Sequence, residues 1–86
     1  MSDIFTKLKE SGHDNIVDQN VNISRPNLVT LGDHIAIDYG FHCTTSLELG
    51  DYTHIGPHVS CVGGVKGKFI TKGFNNVMAG ARIVCG

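Results

Sequence analysis

The chain has no tryptophan, only two prolines and no CxxC pair, and just 17% of its 86 residues are charged. So low a charge content, against about 25% in an average globular protein, excludes a solvated, highly charged disordered tail. A formal net charge of −1 excludes a dedicated nucleic-acid binder, which concentrates Lys and Arg on one face. The uncharged stretches are short and broken by glycine, so none has the length of a membrane-spanning helix, and no membrane insertion is expected. Residues 1–9 hold no apolar run of the secretory type, which points to a cytoplasmic location. Cys43, Cys61 and Cys85 are odd in number; they read as reduced thiols filling small core slots, with a disulfide or a metal site as the alternative.

What the chain has in excess is glycine, 11 residues of 86, and repetition. Leu31-Gly32-Asp33 returns as Leu49-Gly50-Asp51 eighteen residues later, and the same offset carries Ile37 onto Ile55 and Cys43 onto Cys61. Within each copy a buriable residue recurs every six: Leu31, Ile37, Cys43, Leu49, Ile55, Cys61. A second set, Ile35, Phe41, Thr53 and Val59, follows four residues behind. A period of six scatters side chains around a helix, which advances about 100° per residue. Nor does an Asn-Gly or Asp-Gly turn separate two matching runs as in a hairpin. A triangular coil fits: three six-residue units, each a short strand and a turn, close one circuit, and the inward residues stack coil upon coil.

Leu49-Gly50-Asp51-Tyr52-Thr53-His54-Ile55-Gly56-Pro57-His58-Val59-Ser60 resembles the hexapeptide-repeat, or isoleucine-patch, acyltransferases, and within them the sugar and lipopolysaccharide O- or N-acetyltransferases. The resemblance spans residues 23–86. It implies an all-β, left-handed parallel β-helix, a homotrimer, an acyl-CoA co-substrate held between subunits, and transfer to a sugar hydroxyl or amine. The expected organisation is a short N-terminal helix and lead-in strand over 1–24, then about three coils over 25–86 interrupted by a glycine- and lysine-rich loop at 62–72. Ser2 or Asp3 would cap the helix, and Ile4, Phe5 and Leu8 would form its apolar face. Open coil ends suggest stacking of trimers.

The same resemblance implies a single histidine as general base, because imidazole titrates near working pH. His54, one residue before an inward position, is the candidate, with Asp38 as its orienter. Tyr39, His42 and His58 are candidates for the acceptor side of an intersubunit cleft, and Lys66 and Lys68 for the co-substrate's phosphates. Phe69, Phe74 and Met78 are expected to pack beneath the loop. No metal site is expected: His54 and His58 are four apart, but Gly56-Pro57 between them rules out the helix that would bring them together. The histidine-bearing loop and the later coils of the resembling enzymes have no counterpart among these residues, so a shortened form is expected. The alternative is a non-catalytic trimeric scaffold or binding module of the same descent.

Overall fold

A computed structural model describes residues 4–85. Among the described residues, twelve short strands wind into four coils of a parallel β-solenoid. The first coil holds β1 (Glu10–Ser11), β2 (Ile16–Val17) and β3 (Asn22–Ile23), and the second β4 (Val29–Leu31), β5 (Ala36–Ile37) and β6 (His42–Cys43). The third holds β7 (Ser46–Leu49), β8 (His54–Ile55) and β9 (Ser60–Gly63), and the fourth β10 (Lys68–Thr71), β11 (Asn76–Val77) and β12 (Arg82–Cys85). Every pairing is parallel, and the strands stack into three four-stranded sheets, one per face. Face A is β1-β4-β7-β10, face B β2-β5-β8-β11 and face C β3-β6-β9-β12.

The inward column is the one read from the repeat. Leu31 pairs with Leu49, Ile37 with Ile55 and Cys43 with Cys61, each one above the other. The second set is inward too: Ile35, Phe41, Thr53 and Val59 are as fully buried as their neighbours. Two side chains per hexapeptide therefore face the core, as strand alternation requires. The coils advance twenty, eighteen and twenty-two residues, as Ser11, Leu31, Leu49 and Thr71 show on face A. Both departures from eighteen fall at the corner between faces C and A. One is the 3-10 turn Pro26–Leu28, and the other is the excursion 64–67, closed by a Gly67 N–H to Gly64 carbonyl bond of 3.0 Å.

Several expectations are corrected. There are four coils, not about three, because 10–23 forms a coil rather than a lead-in. Lys9, Ser11 and Asn15 stand where the second coil carries Val29, Leu31 and Ile35, and Asn15 is satisfied there, its side chain accepting from the Ile35 N–H and donating to the Gly32 carbonyl at 2.8 Å each. The N-terminal helix is only a 3-10 turn at Ile4–Thr6, and the caps at Ser2 or Asp3 lie outside the described residues. An isolated ten-residue helix is marginal, whereas Glu10 and Ser11 gain a parallel ladder against Thr30 and Leu31. The loop contracts from 62–72 to 64–67, since Val62-Gly63 and Lys68–Thr71 remain strand. Phe74 and Met78 are not packed beneath it but are 83% and 76% exposed, while Phe69 packs against the core.

The repeated Gly-Asp has a steric cause. A Cβ on Gly32 would run into the Asp51 carboxylate, and one on Gly50 would come within 2.5 Å of the Lys72 carbonyl carbon. The aspartates that follow reach down one coil: Asp33 accepts from the His13 N–H at 2.7 Å, and Asp51 from the Asp33 N–H at 2.8 Å. The column Gly12, Gly32, Gly50 ends in Lys72, so Gly73 is the counterpart of the aspartates rather than of the glycines. At the next position Asp14, His34, Tyr52 and Phe74 all adopt φ between 55° and 61°. Non-glycine residues are disfavoured there, but the rings stack along the axis: His34 on Tyr52 at 4.6 Å and Tyr52 on Phe74 at 5.1 Å.

Leu49→Ala is expected to cost about 2–5 kcal/mol, as for buried Leu in other cores, while Ile70→Ala, on the exposed side of the same sheet, is expected to stay within about 0.5 kcal/mol. Urea unfolding of both variants checks the difference.

Candidate functional site

His54 lies on β8 with its side chain outward, because Ile55 takes the inward position. On the surface of face B it bridges three coils. Its Nε2 is 2.9 Å from Asp38 Oδ2 in the second coil, and its Nδ1 is 2.9 Å from Asn76 Oδ1 in the fourth. Asp38 occupies the corner just after β5, where its backbone N–H donates to the Ile55 carbonyl at 2.9 Å. The two side chains remain 46% and 40% exposed, so the pair is hydrated rather than enclosed. With the Asn76 amide oxygen toward the ring, a doubly protonated imidazole makes both contacts. With the amide turned round, a neutral ring carrying its proton on Nε2 makes both.

The structure thus brings Asp38 and His54 together and adds Asn76, which sequence reading missed. Asn76 precedes inward Val77 as His54 precedes Ile55, but it lies twenty-two residues on rather than eighteen. Tyr39 and His58 meet at the next corner, edge to face with centroids 5.2 Å apart. His58 is exposed with φ 58°, packed beside Gly40 at φ 81°. A Cβ at Gly40 would collide with the His58 ring, so this corner depends on glycine. His42 is half-buried on face C, in the column of Asn22 and Ser60.

The lysines do not join these groups within one chain. Lys66 is exposed at the 64–67 excursion. Lys68 is on face A, where its Nζ is 2.8 Å from Glu48 Oε2. The Lys68 ammonium beside it, through hydrogen bond and charge, holds the Glu48 carboxyl below its ordinary range. A shallow groove at the first coil is lined by Phe5, Ser11, Gly12, Asp14 and Asn15, none of them a predicted site residue. Among the described residues, no group of three or more His, Cys, Asp or Glu side chains could hold a metal ion, and no helix is long and apolar enough to cross a membrane.

No family model, no curated protein and no solved structure matches the chain. The geometry therefore carries the functional argument by itself.

Asp38→Asn is expected to shift the His54 ring resonances in long-range 15N–1H spectra while changing stability by no more than about 0.5–1 kcal/mol, as for an exposed pair. Unchanged ring shifts would mean that the contact does not form in solution. Lys68→Ala is expected to raise the Glu48 titration midpoint, read by carboxyl 13C shifts. Because the folded-state value lies below the unfolded one, the ion pair's contribution is present above the ordinary carboxylate range and is lost as pH falls through the folded value.

Proposed function

We propose that this solenoid is an acyltransferase-like module, wound left-handed and assembled as a homotrimer, that takes an acyl-CoA as co-substrate and a sugar hydroxyl or amine as acceptor. The observation that carries the reading is the His54–Asp38 contact on a hexapeptide solenoid. Asp38 orients the ring and holds the proton on Nε2; the Nδ1 lone pair then takes the acceptor's proton as its oxygen or nitrogen attacks the thioester carbon. In that state the acceptor replaces Asn76 at Nδ1. Tyr39, His58 and His42 belong to the neighbouring acceptor side, and Lys66 of an adjacent subunit is the cation for the co-substrate's phosphates. Lys68 serves there only if it leaves Glu48. Three flat faces per chain give each subunit a surface to set against two others, and trimers stack further through the open coil ends. The reading places the protein in the cytoplasm, where acyl-CoA is made.

A second reading, a non-catalytic trimeric scaffold, is favoured by one feature of the same site. Both nitrogens of His54 already have partners within the chain, leaving no free lone pair to act as a base. Calorimetry with acetyl-CoA and CoA separates the two. The transferase reading expects saturable binding, weakened about tenfold or more by Lys66→Ala, since a charge-assisted phosphate contact contributes about 1.5–3 kcal/mol. It also expects acetyl transfer that His54→Ala lowers by about 100-fold or more, the usual contribution of a general base. No binding at millimolar ligand, together with a stable trimer in sedimentation, leaves the scaffold. A monomer at micromolar concentration overturns the oligomeric part of both.

A further inference from the structure

The three cysteines cluster at the end of face C. Cys43 and Cys61 are direct partners in the parallel ladder of β6 and β9, and neither has any exposed surface. In-register strands lie about 4.8 Å apart, inside the roughly 4.4–6.8 Å that a disulfide needs between α-carbons. Both side chains point into the core from the same register position. The Cys43 thiol donates to the Thr45 carbonyl at 3.3 Å. Cys85, on β12, is half-buried, packs against the core and lies two residues past Ile83, the ladder partner of Cys61. The three cysteines sit on successive coils of one face, two of them buried and one partly exposed.

We propose that Cys43 and Cys61 are an oxidisable dithiol, which closes to a disulfide between the second and third coils on exchange with a small-molecule disulfide that enters at Cys85. The Cys85 thiolate attacks one sulfur of that disulfide and expels the first small thiolate. Cys61 first passes its proton to the Cys43 thiolate, and the Cys61 thiolate attacks the Cys85 sulfur and expels the second small thiolate, which takes that proton from Cys43. The Cys43 thiolate so regenerated attacks Cys61, the Cys61–Cys85 bond breaks, and Cys85 departs as a thiolate. Two electrons pass from the protein to the small disulfide, which leaves as two thiols. The pair is prepared for the last step. The Cys61 S–H donated to Cys43 brings that thiol down to about 7, and the same contact together with burial pushes Cys61 up.

The whole chain, native and reduced, is incubated with glutathione disulfide, quenched with an alkylating agent and digested. The expected product has lost the mass of two hydrogens, links the Cys43 peptide to the Cys61 peptide, carries an alkylated Cys85 and reverts with dithiothreitol. Cys85→Ser is expected to slow bridge formation about tenfold by removing the accessible attacking thiol, without changing which residues are joined. The bridged form is expected to melt at a higher temperature than the reduced form, because the bond closes the loop between the two coils in the unfolded chain. A stable glutathione adduct on Cys85 with Cys43 and Cys61 still reduced would overturn the proposal. So would a final bridge from Cys61 to Cys85, or one between Cys85 residues of two chains.

Discussion

The strands of this protein satisfy their amides on the coil before or after their own. Face by face the bonds run between coils, as from the Gly32 N–H to the Leu49 carbonyl at 2.8 Å and from the Ala36 N–H to the Thr53 carbonyl at 3.1 Å. A coil without a neighbour would expose a whole circuit of unpaired backbone. That dependence enforces register: a residue must sit above its counterpart or lose its hydrogen bonds. Register in turn puts leucine on leucine, isoleucine on isoleucine and cysteine on cysteine. Stability in such a stack is close to a sum of neighbour terms. Burial follows that logic, being complete in the second and third coils and partial at Val17, Val21 and Ile23 of the first and at Val77, Ala81 and Ile83 of the last.

How much was legible in the sequence depended on whether the eighteen-residue interval held. Across the second and third coils it holds, and the six-spaced inward residues Leu31, Ile37, Cys43, Leu49, Ile55 and Cys61 could be placed, whereas buried Thr45 and Leu47 could not. The first coil escaped notice because the turn at Pro26–Leu28 lengthens the interval to twenty and Ser11 and Asn15 mask the inward pattern. The fourth was misaligned because Gly73 looked like the repeat glycine, while the register gives that place to Lys72. A glycine demanded by the backbone of the next coil reads differently from a glycine at φ 123° in the turn itself, yet the letter is the same.

The site shows the same division. Asp38 and His54 belong to the regular coils and could be named as a pair from the sequence, but their contact, sixteen rather than eighteen residues apart, is visible only in the structure. Asn76 lies beyond the irregular corner, and its contact with His54 was invisible without the four additional residues at 64–67. Lys66 and Lys68 looked like one basic cluster in sequence, but the strand start at Lys68 separates them, turning one onto face A toward Glu48 and leaving the other at the corner. Proximity along the chain is a poor guide in a fold where neighbours in space are about twenty residues apart.

The replacement of glycine by Lys72 shapes what can approach the last coil. Wherever one described coil rests on another, this corner offers bare backbone to the layer above. At Lys72 an approaching layer, whether more of the same chain or another copy, meets a β-carbon and a cationic stem. The corner that is bare backbone in the earlier coils is a side-chain-bearing, cationic position in the fourth.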